Sequence, residues 1–413
     1  MARNPTARGF TIVELMVSIT ITSVVVAALY SVSRATTETF NQQQRAAEMQ
    51  LRLRLAMERM RADVARAGYM ASPNSEVDPR VCPKPSVLIQ PLSITRTLTT
   101  TNPIPNPSDN VFVQPVTLRM IGNYTTADEY LVENITGNQV HLQHRTPQWA
   151  ARMSAAEFAR VFISADPTHP RMIRISSPTG TMQFFRVRSG TYQAPSAATN
   201  PELILDSTPT VVGDAVMMGA GAGCGITGLG TGSTVAPVDM VEYAIRSGST
   251  MRTTALSDLY PSSATEAALK TDLVRSEWAL ESTTVELPNT AQLVGEYAVD
   301  LDATVTADEA TGVSPVSMRS FAWGDDTNIN RYAQNMMGSG SASGHFPQRI
   351  RSVLLRLSIR DRLQDPAFGW VARSAATVPL SRFRVYSNQL GASRVRTLTS
   401  EVVLTNLAAR NLR

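Results

Sequence analysis

The chain has 413 residues, 43% of them hydrophobic and 17% charged, with a formal net charge of +4 at pH 7. This composition excludes a disordered or collagen-like chain, and so small a charge gives no reason to expect a nucleic-acid-binding protein. The length allows one large or two modest domains.

Met1 to Gly9 is short and polar, with Arg3 and Arg8 as its only charged side chains. Arg8-Gly9-Phe10-Thr11-Ile12-Val13-Glu14-Leu15 then leads into an apolar run that ends near Val32, in which Glu14 alone is ionisable. As a helix this run is long enough to cross a bilayer core of roughly 30 Å. A carboxylate in such a segment costs at least ~2.5 kcal/mol on insertion scales, so Glu14 is a functional candidate. A secretory signal peptide is an alternative reading, with Ser31-Val32-Ser33 as a small-x-small site. Its apolar region, however, would usually be ~7–15 residues without a charge. A plain signal anchor is the other alternative.

The order basic leader, Gly, aromatic residue, and Glu five places into the mature chain resembles the class III signal of type IV prepilins. The resemblance implies that a prepilin peptidase cuts between Gly9 and Phe10 and that Phe10 becomes the N-methylated terminus. It also implies that Glu14 is the assembly carboxylate, which neutralises the amine of a neighbouring subunit so that both charges are compensated only in the filament. Loss of Arg3 and Arg8 with the leader lowers the net charge from +4 to +2. Many major pilins carry a proline within the membrane half of this helix. This chain has none between Pro5 and Pro73.

From Ser33 the pattern becomes amphipathic. Leu53, Met57, Met60, Val64 and Ala67 fall on one helical stripe, and Gly68 followed by Pro73 ends it. The expected helix runs from about Phe10 to Ala67, ~87 Å at 1.5 Å per residue. Residues 10–33 form its transmembrane or assembly half, and residues 34–70 its amphipathic half, which lays the stripe on a globular head. A coiled coil is the alternative for the second half.

Residues 71–110 are dense in proline and read as a connection with at most short strands, such as Val87 to Ile89. Residues 111–413 are expected to form a β-rich head, with room for a large insertion. Val111 to Met120 and Glu129 to His144 alternate, the latter broken by the turn Thr136-Gly137-Asn138. Met172 to Ile175 and Met182 to Arg188 flank a hairpin turn, Ser177-Pro178-Thr179-Gly180. Capping boxes at Ser154-x-x-Glu157 and Ser263-x-x-Glu266 start two short helices. Val353, Leu355, Leu357 and Ile359 share one face of a strand, with Arg356, Ser358 and Arg360 on the other, expected to be solvated. Phe383 and Val385 alternate with Arg382 and Arg384, and a last strand runs from about Arg396 to Leu404. This end of the chain, closing in Asn406 to Asn411, resembles that of PilW-type minor pilins, and Gln292 to Glu296 leading into Tyr297 to Val305 loosely resembles the helix-then-strand piece before it.

The remaining candidates for chemistry are weak. The glycine-rich stretch Met218 to Ser233 lacks the Gly-Lys-Ser/Thr of a phosphate loop and reads as a surface loop around Cys224, and Ser339 to Gly344 as another. His141 and His144 face opposite sides of a strand, wrong for sharing zinc. Asp326-x-Asn328-x-Asn330, preceded by Asp325, mimics the opening of a calcium loop. Arg331 and Met337 stand where it needs Gly and Glu, so a turn held by local Asx bonds is favoured. Cys82 and Cys224 are either one disulfide, in a head outside the cytoplasm, or two free thiols.

The expectation is an α+β, pilin-like protein with no enzymatic chemistry and no cofactor. As the resemblance implies, it is a minor pilin that primes a type IV pilus and sits at or near its tip, supporting twitching motility and adhesion. A type II secretion pseudopilin and a tip adhesin are the alternatives. Its partners are other minor pilins, the major pilin, the prepilin peptidase, the inner-membrane assembly platform and, before assembly, the inner membrane, with the head in the periplasm.

Overall fold

A computed structural model describes residues 11–96, 102–164, 166–211, 228–281, 285–309, 316–333 and 346–408. The chain divides into two compact units, Met1–Leu51 and Arg52–Arg413. One helix, α1 (Ile12–Ala65), provides all the regular structure described in the first unit and opens the second. No break interrupts it, as a proline-free sequence rich in Ala, Leu, Met, Gln and Arg favours. Gly68, at φ +74°, turns the chain out of the helix, and its N–H donates to the Ile121 carbonyl at 2.8 Å.

In the second unit the stripe Leu53, Met57, Met60, Val64 and Ala67 is buried, each residue at most 4% exposed. It shares a core with two antiparallel sheet systems. The first contains β1 (Leu92–Arg96), β2 (Val116–Gly122), the second half of β8 (Thr234–Ser247), β9 (Thr271–Trp278) and β10 (Gln292–Gly295), in that order. The other five-stranded sheet has the order β12 (Met318–Ser320), β11 (Ala298–Asp308), β13 (Ile350–Arg360), β15 (Ser393–Val403) and β14 (Arg382–Phe383). Val353, Leu355, Leu357 and Ile359 of β13 enter the core that α1 caps. This is an α+β, pilin-like arrangement, a long N-terminal apolar helix followed by an antiparallel β-rich head.

Between β2 and the second half of β8, the chain builds a second core. The first residues of β8 pair with β3 (Tyr130–Thr136) on one side and with β5 (Arg171–Ser176) on the other. β4 (Gln139–Leu142), β7 (Glu202–Leu205) and β6 (Met182–Thr191) complete the circuit, so six strands close into a ring without a free edge. Its filling includes Val132, Leu142, Ile173, Phe185, Leu203 and Val235. The helices α2 (Pro147–Arg152) and α3 (Ala155–Phe162) add Trp149, Phe158 and Phe162. Ser154 accepts the Glu157 N–H at 3.1 Å and caps α3, as the sequence pattern indicates.

Several local expectations are corrected. Val87 to Ile89 forms no strand; the strand in the proline-rich connection is β1, where the sequence spaces its prolines widely enough for pairing with β2. Gln292 to Gly295 is a strand on the edge of β9, not a helix, because Leu293 finds Val274 opposite it. The polar face of β13 is not solvated. Arg356 and Arg360 are each 2% exposed, lying beneath the segment that returns from Arg362 to Val385.

Candidate functional site

Gly9 and Phe10 lie outside the described residues, as does Cys224. The site begins at Thr11, the residue that precedes the first turn of α1. Its backbone N–H and its hydroxyl each donate to Glu14 Oε2 at 3.0 Å, and its Oγ1 accepts the Glu14 N–H at 3.2 Å. The arrangement is a reciprocal capping box: it satisfies end groups that the helix cannot pair itself and pins the carboxylate at the positive end of the helix dipole. Sequence reasoning identified Glu14 but missed Thr11. The signal was present, since Thr11-x-x-Glu14 has the same spacing as the boxes recognised at Ser154 and Ser263.

Beyond Glu14 the helix presents apolar side chains all round. From Ile12 to Val32 every Val, Ile, Leu, Met and Tyr is at least 50% exposed, and an 18-residue window reaches a mean hydropathy of 2.3. The hydroxyls within this segment are turned inward on the helix. Ser18 donates to the Leu15 carbonyl at 2.8 Å, Thr20 to Met16 at 2.7 Å, Thr22 to Ser18 at 2.7 Å and Ser23 to Thr20 at 2.8 Å. With its serine and threonine groups paired locally, the segment suits hydrocarbon or the apolar flanks of other helices, where an unpaired hydroxyl is costly. Glu14 is left as its one charged group.

The other candidates resolve into structural roles. Asp325 caps the helix Asp326–Tyr332, taking the Asn328 N–H at 3.3 Å, while Asp326 pairs with Arg96 at 3.0 Å. Among the described residues no group of three His, Cys, Asp or Glu side chains stands together to hold a metal. His144 is buried, its Nε2 3.2 Å from the Ala197 carbonyl, whereas His141 on β4 is only partly buried. Cys82 is buried and disulfide-bonded.

The polar face of β13 holds a network of buried charges instead of a binding surface. Asp302 accepts from Arg356 at 2.8 Å and from Arg96 at 3.0 Å, and Asp300 accepts from Arg373 at 3.2 Å. Arg356 also stacks on Trp323, 4.5 Å from the ring centroid. Burial pushes the Asp300 carboxyl up to about 6, against the pull of Arg373 and Arg356, and brings the Arg360 guanidinium down to about 10.

A family model described as the prokaryotic N-terminal methylation motif matches residues 4–30. No curated protein and no solved structure matches the chain. The matched stretch contains the capped carboxylate and all but the last two residues of the uncovered apolar run from Ile12 to Val32, and the motif and the apolar helix fit membrane anchoring. The motif, the helix and the β-rich head together support a type IV pilin-like protein, a component of a pilus or pseudopilus.

Proposed function

We propose that the chain is a minor pilin, of the PilW type, that helps prime a type IV pilus at the inner membrane and is incorporated at or near the tip, supporting twitching motility and adhesion. The observation that carries this reading is Glu14, a single carboxylate fixed at the start of an otherwise apolar and uncovered helical segment. After cleavage between Gly9 and Phe10 by the prepilin peptidase, and N-methylation of Phe10, the new amine stands one residue before Thr11. In the membrane the Thr11 bonds keep the Glu14 carboxylate partly satisfied. In the filament the amine of a neighbouring major or minor pilin replaces the lost solvation, so assembly compensates two charges at once. The head then faces the periplasm before assembly on the inner-membrane platform, and Cys82 pairs with Cys224, as an oxidising compartment permits.

Glu14→Ala is expected to leave membrane insertion and leader removal intact while abolishing co-purification with other minor pilins and lowering piliation. Normal piliation and incorporation in that variant would exclude the pairing mechanism. A second reading, a type II secretion pseudopilin, rests on the same methylation motif. Protease secretion and twitching, scored in a deletion strain, separate the two. The closed six-stranded ring favours a third role, ligand recognition at the tip, which removal of the ring would abolish while sparing piliation.

A further inference from the structure

Residues 361–396 carry six arginines and two aspartates, a formal +4 equal to the net charge of the whole chain. Arg373 is engaged with Asp300 in the interior. The other five, Arg362, Arg382, Arg384, Arg394 and Arg396, are exposed or partly exposed. They sit on one knitted lobe. Gln364 binds it together, donating to the carbonyls of Tyr386, Gln389 and Leu390 and accepting the N–H groups of Val385 and Tyr386. Arg382 and Arg394 both stack on Phe368, at 4.5 and 4.6 Å from its centroid, and Arg384 lies 5.4 Å from that of Trp370. The acidic groups facing them are Asp365, 3.5 Å from Arg394, and Asp109, 3.6 Å from Arg384.

Among these cations stand bare aliphatic side chains. Leu390, beside the left-handed turn at Gly391, is 80% exposed, Val371 62% and Leu363 52%. Leu363 lies against the Leu390 turn, since Ser393 donates to the Leu363 carbonyl and Gln364 to that of Leu390. A basic surface studded with protruding aliphatic groups matches phosphate headgroups above hydrocarbon. A single-stranded nucleic acid would instead need free aromatic faces for its bases. Here guanidinium groups already lie on Phe368 and Trp370, which leaves Tyr386, 37% exposed, as the one open ring of the lobe among the described residues, too little for a run of stacked bases.

We propose that the 361–396 lobe docks on an anionic lipid bilayer, its guanidinium groups pairing with headgroup phosphates while Leu363 and Leu390 enter the headgroup–acyl boundary. Planar guanidinium groups suit bidentate phosphate contacts, and each one near a charged bilayer contributes roughly a five-fold factor in affinity. This surface lies outside the helix and the Thr11–Glu14 site, so its test is independent of the filament reading.

The experiment uses the full chain in phosphatidylcholine nanodiscs, which occupy its apolar helix, and measures capture of added vesicles by flotation. Phosphatidylglycerol vesicles are expected to be captured at 0.15 M salt and released at high salt, and phosphatidylcholine vesicles not to be captured. Arg362→Gln with Arg396→Gln should weaken capture by roughly 25-fold, two such factors, and Leu390→Ser should weaken it further. All three side chains are exposed, so thermal unfolding should stay unchanged. Equal capture of both vesicle types, no capture, or capture unaffected by these substitutions would overturn the proposal. Retention on immobilised polyglutamate or duplex DNA without vesicle capture would overturn it too, by assigning the lobe to an acidic protein or a nucleic acid.

Discussion

Thr11 does for α1 what Ser154 does for α3, but its partner is also the residue on which the proposed assembly turns. Thr11→Ala removes a cap worth about 1 kcal/mol and frees the Glu14 carboxylate. The expected outcome is a frayed first turn and reduced incorporation into filaments, both rescued by Thr11→Ser, which keeps the hydroxyl. Equal filament incorporation by Thr11→Ala and wild type would show that the cap plays no part. Asp300 offers a second test at this scale. Its carboxyl is raised to about 6 in the folded head against ~3.9 in an unfolded chain. The folded state therefore binds the proton more tightly, and this stabilisation is complete below about pH 4 and lost as pH rises through 6. The stability difference between wild type and Asp300→Asn should fall by on the order of 2 kcal/mol across that range, measured by denaturant unfolding at each pH. Asp166 works in the opposite direction. The Thr168 hydroxyl and His169 hold it down to about 2, so its contribution is present above pH 4 and lost as pH falls through 2.

At the scale of elements, the amphipathic end of α1 was legible because its 3.6-residue period is local to the sequence. Asp63 lies within the same turns but outside the apolar stripe. It is 7% exposed and welds the helix to the sheet, accepting from Arg275 of β9 at 2.7 Å and from Tyr243 of β8 at 2.8 Å. Its partners lie 180 and 212 residues away, and no periodicity reveals partners so distant. Asp63→Ala leaves Arg275 buried without its main counter-ion, at a cost of roughly 3–5 kcal/mol, visible as a lowered unfolding midpoint. A midpoint shift equivalent to well under 1 kcal/mol would mean that the pair is solvated in solution. The face of β13 was misread for a related reason. Alternation says which residues share a face but not what covers it, and Arg356 and Arg360 are covered by a segment that follows them in the chain.

At the scale of the whole molecule, the hairpins β3–β4 and β5–β6 could be read from turn residues, but the ring they form could not. Closure depends on β8 pairing at once with β3 and β5, a non-local event. The topology marks where this part can be removed. Gly122, the last residue of β2, stands opposite Asp239 of β8. Replacing residues 125–236 with a four-residue turn should keep the β1-β2-β8-β9-β10 sheet and the proposed processing of the N-terminus while lowering stability, since Thr125 and Arg171 no longer hold Asp239. Circular dichroism and mass spectrometry of the processed terminus would check both. A shortened chain that is processed yet unfolded would show that the sheet needs the ring.

The shared strand β8 also has a bearing on the order of folding. β2 finds its second sheet partner only after more than a hundred further residues have left the ribosome, and until then one edge of β2 is open. The hairpins of the ring pair over short sequence distances, whereas the sheet must close a long loop. The hairpins β3–β4 and β5–β6 are therefore able to form before β2 meets β8. Once β5 and β3 have drawn the start of β8 into place, the continuation of that strand is delivered beside β2, and the most distant strand pairing among the described residues is already largely made.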